Sequence, residues 1–220
     1  MVGAALLAVP LSRAWKIAPD LGHGWAAPLL VAYLWWERWA ERPALRPGRI
    51  SPLGWALAGT AVAVALPLRL LLTPFPLWPA LVWAYALLLV GLALGAAALL
   101  AGRPGAKWLG GPLIVLAAAL PWGTQLEQHI IYPLREGMAS ITAETCNLIG
   151  RPAIAAGTSL RLGGGWVGVD EACGGIRSLE ASVMLALFFG EWLRFSWRRR
   201  AALVGLGVLA ALLGNFFRIL

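Results

Sequence analysis

The stretch with the clearest chemical character is residues 169–179, a short polar run centred on Cys173 in an otherwise apolar chain. A helix is predicted to begin near Cys173, and the unpaired N–H groups and the dipole of a helix N-terminus favour a thiolate. Arg177 lies four residues further on and therefore on the same helix face. Its guanidinium would stabilise the thiolate or orient a carboxylate, and Glu171 would pair with it or carry a proton. The run predicts a nucleophilic cysteine.

Two other interpretations of Cys173 stay open. Free cysteines are often small packing residues, and a reactive one needs an electropositive, partly exposed setting. The second cysteine, Cys146, falls in the same outer segment, where oxidising conditions permit a disulfide that would disable the nucleophile. The chain has only two cysteines and two histidines, in no metal-binding spacing, so neither a metal nor a cofactor is expected.

A second polar feature follows the last apolar run, where Asn215 and Arg218 stand three residues apart and so on one side of a helix. An arginine in a membrane span costs about 2.5–3.5 kcal/mol at the helix centre and less at its end. Arg218 is therefore either a snorkelling interfacial residue or part of a site, and its pairing with Asn215 favours the site.

The elements that position these residues are predicted to cross a membrane. The chain of 220 residues is 60% hydrophobic, only 13% charged, and contains 13 tryptophans. Soluble domains are near 25% charged, and tryptophan collects at membrane interfaces. The net charge of +8 is gathered in loops between apolar runs, which indicates membrane topology and excludes a nucleic-acid partner.

Six apolar runs are the stronger candidates for spans, and a seventh, residues 1–11, is a poor one, because it meets basic residues well before the roughly 20 apolar residues that a bilayer requires. The six lie at residues 25–40, 53–72, 77–101, 109–122, 176–193 and 201–217. Basic clusters follow the first, third and fifth of them and are predicted to be cytoplasmic. This topology places His23, Cys173 and Arg218 at the outer face of the plasma (inner) membrane.

The outer segment 124–175 is predicted to be structured. Leu126, Ile130, Leu134 and Met138 recur at helical spacing among polar residues, which indicates an amphipathic surface helix with a kink or break at Pro133. Residues 143–149 would add a helical turn or two, and alternation around a glycine turn in residues 153–169 predicts a small hairpin before the cysteine helix. We therefore expect a single-domain, all-α polytopic membrane protein over residues 1–220, with six to seven transmembrane helices.

These motifs resemble those of one family. The Glu-Ala-Cys-Gly-Gly-Ile-Arg-Ser-Leu run ending at Leu179 resembles the cysteine motif of exosortases and archaeosortases, which are polytopic membrane cysteine enzymes. The Asn-Phe-Phe-Arg-Ile run from Asn215 is similar to their asparagine–arginine motif. His23, with the glycine after it, is similar to an early His-Gly segment of the bacterial members. The likeness covers most of the chain.

The resemblance implies a sorting transpeptidase. Its substrates would be exported proteins whose C-terminal tail carries a signature such as Pro-Glu-Pro, one membrane helix and a basic cluster. Cys173 would form a thioester with the substrate, Arg218 would stabilise the oxyanion, and a lipid or glycan would accept the acyl group. Glu171, Arg177, Ser178, Asn215 and His23 would support the site or bind the substrate.

The chain departs from the family pattern in two places. Glycine stands at Gly174, where the family usually has serine. The family's third catalytic residue, a histidine or an arginine, normally lies on a helix beyond the asparagine–arginine motif, so the chain is expected to be truncated after Leu220. His129 is a conceivable substitute, but its spacing favours an interfacial role.

Two other functions remain as alternatives. A non-enzymatic assembly factor or receptor for such tails would suit a chain without the third catalytic residue. A small transporter is suggested by the arginine in the last span, but the sequence has no inverted repeat of the kind that transporters use.

Overall fold

The computed structural model describes residues 11–45, 52–122, 127–168 and 175–219, and it is mainly helical. It divides into two compact units. The first consists of Met1–Pro121 with Leu187–Phe195, and the second of Trp122–Ala186 with Ser196–Leu220. Of the predicted short span at residues 1–11, only Leu11 is among the described residues. Glu171 and Cys173 also lie outside the described residues.

The helices of the first unit follow the predicted apolar runs closely. Helix α1 covers residues 11–17, and a 3-10 helix, Pro19–Trp25, follows it. A second 3-10 turn lies further along the chain, at Trp39–Glu41. The longer helices are α2 (Ala26–Glu37), α3 (Pro52–Leu71) and α4 (Pro79–Ala117). The predicted runs 25–40 and 53–72 therefore form helices within a few residues of their expected bounds.

Helix α4 contains two of the predicted runs, and a break separates them. Gly102 has φ +68° and ψ −167°, a conformation outside the helical region that glycine adopts readily because it lacks a Cβ. Pro104 then falls in the first turn of the second helical part, where its missing N–H is harmless. The break follows directly after the predicted run 77–101. Arg103 and Lys107, expected in a loop, stand in the second helical part instead.

Two of the described helices are long and apolar enough to cross a membrane, Pro79–Ala117 and Trp197–Arg218, and the apolar stretch Ala58–Leu71 is shorter. Only 11% of the most apolar window of the first and none of that of the second is buried within the protein. A core helix of a soluble protein would be mostly covered, so this exposure favours lipid as the surroundings. The number of six to seven spans stays a prediction.

The second unit begins with a π-helical turn, Glu127–Ile131, and helix α5, Tyr132–Leu148. Pro133 is the second residue of α5, where it costs no hydrogen bond. The kink or break predicted at Pro133 is therefore the start of the helix. The predicted turns of residues 143–149 belong to this same helix. Gly150, with φ +80°, ends it, and the N–H of Arg151 donates to the carbonyl of Cys146 at 2.8 Å.

A three-stranded antiparallel sheet follows α5, whereas the sequence predicted a single hairpin. Its strands are β1 (Ile154–Ala156), β2 (Ser159–Leu162) and β3 (Gly165–Gly168), in the order β1-β2-β3. The strands are only three or four residues long, too short for their alternation to distinguish one hairpin from two. The sheet packs on small side chains of α5, and the shared core consists of Ala139, Ala143, Cys146, Ala153 and Leu160.

Helices α6 (Gly175–Trp192) and α7 (Trp197–Ile219) complete the described chain and correspond to the predicted runs 176–193 and 201–217. In the second unit α7 lies close to α6 at Gly207, where an added Cβ would be 3.3 Å from the carbonyl oxygen of Ser182. Arg194, in the turn that follows α6, has φ +54°. The hydrogen bond of this exposed side chain to Glu41 raises the pKa of Arg194.

A buried ion pair joins Arg38, directly after α2, to Glu191 near the end of α6. Nη1 of Arg38 lies 2.5 Å from Oε1 of Glu191, and Nη2 donates to the backbone carbonyl of Glu191. The two residues are 9% and 3% exposed. The indole of Trp108 donates to the carbonyl of Arg38 at 3.0 Å, and a Cβ at Gly111 would collide with Oε1 of Glu191. The sequence analysis counted Arg38 with the basic cluster after the first apolar run, whereas the structure buries it against Glu191.

We expect Glu191→Gln to destabilise the protein by about 3–5 kcal/mol, because it removes the buried carboxylate closest to the guanidinium and leaves only Glu37, at 3.8 Å from Nε of Arg38. The measurement is thermal unfolding of the full chain in detergent, which should show a clearly lower midpoint.

The matched control is Glu41→Gln, which removes the partner of the exposed Arg194. Exposed pairs contribute little, so its midpoint should stay near that of the parent protein. Equal midpoints for Glu191→Gln and Glu41→Gln would contradict a structural role of the buried pair.

Candidate functional site

The start of α6 and the end of α7 meet at one cavity in the second unit. Leu179, the last residue of the cysteine run, lines it together with Asn215, the first residue of the asparagine–arginine motif. Helix α5 forms the remaining wall, and the other lining residues are Ile131, Leu134, Arg135, Met138, Ala211 and Leu212. Two sequence motifs separated by 36 positions thus contribute to the same space.

The cavity is small and partly polar. Its volume is about 30 Å³, which is enough for one or two water molecules. The side-chain oxygen Oδ1 of Asn215 is buried and has no hydrogen-bond partner among the described residues. A buried amide oxygen without a partner is costly, so its retention is typical of a position that a ligand, a water molecule or a substrate group occupies.

The structure places the remaining predicted residues as follows. Arg177 and Ser178 stand in the first turn of α6, and the side chain of Ser178 is exposed. Arg218 lies in the last turn of α7, three residues after Asn215, and is also exposed. The described part of α6 begins at Gly175, two residues after Cys173, and the predicted helix start near the cysteine lies outside the described residues.

Two charged residues of the second unit escaped the sequence analysis. Arg135 lines the cavity beside Asn215, although its place among the polar residues of an amphipathic helix gave no reason to select it. Glu180 directly follows Leu179 and is only 3% exposed. A carboxylate within an apolar run is a signal that could have identified Glu180, because such residues are rare unless they have a function.

His23 belongs to the first unit and caps the end of α4. Its Nε2 donates to the carbonyl of Ala118 at 2.9 Å, one residue after the helix ends. The indole of Trp15 donates to the carbonyl of Ala119 at 2.9 Å in the same way. The last carbonyls of a helix have no partner within it, and these two rings satisfy them. A catalytic or substrate-binding role of His23 stays a prediction.

The glycine of the early His-Gly segment has a packing reason of its own. Gly24 is buried against the indole of Trp15, and an added Cβ would lie only 2.6 Å from ring carbons of that tryptophan. Glycine at this position therefore lets Trp15 reach the end of α4. The His-Gly segment therefore has a structural role in packing the first unit, whatever the chemical role of His23.

Cys146 is a free cysteine in the structure and is 3% exposed. It packs with Ala143 and Leu160 in the core between α5 and the sheet. A residue in this position behaves as a small apolar side chain, as buried cysteines commonly do. The alternative of a disulfide with Cys173 stays open, because Cys173 lies outside the described residues.

Among the described residues, no three His, Cys, Asp or Glu side chains are grouped so that they would hold a metal ion. The polar groups at the cavity are an amide and a guanidinium, which are suited to binding a carbonyl or an oxyanion.

Comparison with known proteins gives one match. A family model described as Transmembrane exosortase (Exosortase_EpsH) matches residues 15–220. Neither a curated protein nor a solved structure matches the chain. The matched range includes both motifs at the cavity and the capping histidine.

We expect Gly24→Ala to destabilise the first unit, because the methyl group would displace the indole of Trp15 and weaken its bond to Ala119. Such overpacking typically costs about 1–3 kcal/mol. Thermal unfolding in detergent should show a lower midpoint than for Gly22→Ala, where nothing lies within 4 Å of the added Cβ. Indistinguishable midpoints for the two variants would refute the packing role of Gly24.

Proposed function

Because the chain belongs to the transmembrane exosortase family, we propose that this membrane protein is a cysteine peptidase and transpeptidase acting on C-terminal sorting signals. Its substrates are exported proteins with tails of the Pro-Glu-Pro type, and its acceptor is a lipid or a surface glycan. The observation that carries the proposal is the cavity that Leu179 of the cysteine run shares with Asn215 of the second motif. Residues 1–220 would act as one functional domain.

The first half-reaction cleaves the substrate. The thiolate Sγ of Cys173 attacks the carbonyl carbon of the scissile peptide bond, forming a C–S bond and moving an electron pair to the carbonyl oxygen. Collapse of the tetrahedral oxyanion breaks the C–N bond, and the departing amine takes up a proton. The product is a thioester between Cys173 and the shortened protein. Arg218 stabilises the oxyanion, because a fixed cation near the developing charge lowers the barrier.

The second half-reaction transfers the acyl group. A hydroxyl or amine of the acceptor attacks the thioester carbonyl, loses its proton and releases the thiolate. Asn215 is suited to hold the substrate carbonyl or a water molecule, since its amide can both donate and accept. Glu171, Arg177 and Ser178 surround the nucleophile in sequence and would orient the substrate, and a supporting or substrate-binding role is proposed for His23 as well.

The proposed site faces the outside of the plasma (inner) membrane. Support comes from charge, since α7 begins with the basic run Arg198, Arg199 and Arg200 and ends beside Asn215 and Arg218. Basic residues concentrate on the cytoplasmic side, so the opposite end of α7 lies outside. An exported substrate would meet the cysteine on that side.

Cys173→Ala should abolish processing of a tail-bearing substrate in membranes, because no thioester can form. The matched control is Cys146→Ala, which alters a packing cysteine and should retain processing. Unchanged processing by Cys173→Ala would end the enzymatic proposal and favour a receptor for such tails. Alkylation of Cys173 at graded pH adds a second measurement, and an activated thiol should react with a midpoint below about 8.5.

Arg218→Met should lower kcat by about 10²–10³-fold with little change in KM, because the guanidinium acts on the transition state. Arg151→Met serves as the control, since Arg151 is an exposed residue after α5. A rise in KM at unchanged kcat would instead assign Arg218 to substrate binding.

The variant Asn215→Leu tests whether the role of Asn215 is functional or structural. The exchange removes a buried oxygen that has no partner, so stability should stay equal or increase. Processing should nevertheless fall at least tenfold, as measured in the same membrane assay. Full activity with unchanged stability would show that Asn215 does not contact the substrate.

A further inference from the structure

A large cavity of the first unit is a groove along α4, which we name the α4 groove. Its volume is about 940 Å³, within the range of ligand sites. The segment after α2 forms one wall, and the complete lining is Trp39, Ala40, Arg42, Pro43, Ala44, Leu45, Ala93, Ala96, Ala97, Leu100, Ala101, Gly105, Trp108 and Leu109. No acidic residue is among them.

The floor of the α4 groove is apolar over a length that matches one membrane leaflet. From Ala93 to Ala101 the lining residues recur at helical spacing over eight positions, which spans roughly 12 Å at 1.5 Å per residue. Half of a hydrocarbon core is about 15 Å thick. An acyl chain is the apolar group of this length that a membrane protein meets throughout its surface.

The other end of the α4 groove is aromatic and cationic. Trp39 and Trp108 contact each other there with ring centroids 6.2 Å apart, and tryptophan marks the headgroup level of a bilayer. The guanidinium carbon of Arg42 lies 4.7 Å from the ring centroid of Trp39, which holds this exposed cation at the groove.

Among the described residues, no carboxylate pairs with the cation at this end of the groove. The nearest acidic residues along the chain have other partners, since Glu41 pairs with Arg194 and Glu37 lies 3.8 Å from Nε of Arg38. Arg42 has no carboxylate partner among the described residues. Arg103 and Lys107 lie on α4 between Ala101 and Trp108 and increase the positive charge of this segment.

We infer that the α4 groove binds one anionic phospholipid, with an acyl chain along Ala93–Ala101 and the phosphate at Arg42. Clusters of basic residues at the cytoplasmic ends of membrane helices bind anionic headgroups, and the groove adds a matching apolar floor. The inference concerns the first unit and does not depend on the proposed peptidase activity.

The test measures lipid binding to the full chain in neutral detergent by native mass spectrometry. The probes are dioleoyl phosphatidylglycerol, dioleoyl phosphatidylcholine and inorganic phosphate. Arg42→Gln removes the headgroup contact and is compared with Arg151→Gln, an exposed arginine of the second unit. Ala97→Trp fills the groove and is compared with Ala98→Trp, an exposed neighbour that does not line it.

We expect one saturable phosphatidylglycerol molecule, which binds more tightly than phosphatidylcholine and is not displaced by inorganic phosphate. Arg42→Gln should weaken phosphatidylglycerol about fivefold and leave phosphatidylcholine unchanged, whereas Arg151→Gln should alter neither. Ala97→Trp should abolish binding that Ala98→Trp retains. Equal binding of the two lipids, an unaffected Arg42→Gln, or no saturable lipid because the chain or a second copy fills the groove would each overturn the inference. Arg42 is exposed, so its variant keeps the test valid if Ala97→Trp does not fold.

Discussion

Every polar group that this apolar chain withdraws from water must find its partner within the protein, and much of the described structure depends on that constraint. Lipid offers no hydrogen bonds, so unsatisfied backbone groups are costly wherever water is excluded. The end of α4 illustrates the result, because His23, Trp15 and Trp83 each donate a ring N–H to one of the carbonyls that follow the helix. Side chains whose type suggests a catalytic role, such as His23, therefore also satisfy backbone carbonyls.

The same constraint explains the ion pair between Arg38 and Glu191. Each charge alone would be expensive at 9% and 3% exposure, and together they hold the end of α2 against the end of α6. A buried pair with an added backbone bond from the guanidinium permits few alternative arrangements, so within the first unit it specifies where the end of α6 packs more than it adds stability.

Asn215 departs from this constraint at the candidate site. Its Oδ1 is buried at a cavity without a partner, beside Leu179 and Arg135. An oxygen without a hydrogen-bond partner at the meeting point of two family motifs is suited to receive a water molecule or a ligand group. At the α4 groove, Arg42 has no carboxylate partner among the described residues and stands at the end of an apolar surface.

The sequence by itself determined the apolar helices, the break between the runs in α4 and the family, because hydrophobic runs, glycine and proline act locally and the motifs are contiguous. It also located an ordered segment before the cysteine helix. Only the tertiary structure decided that Pro133 starts a helix, that Arg38 is buried, that His23 caps α4, and that Arg135 and Asn215 share a cavity with Leu179. These facts depend on which distant segments pack together, and local sequence does not encode the partner that a polar side chain will meet.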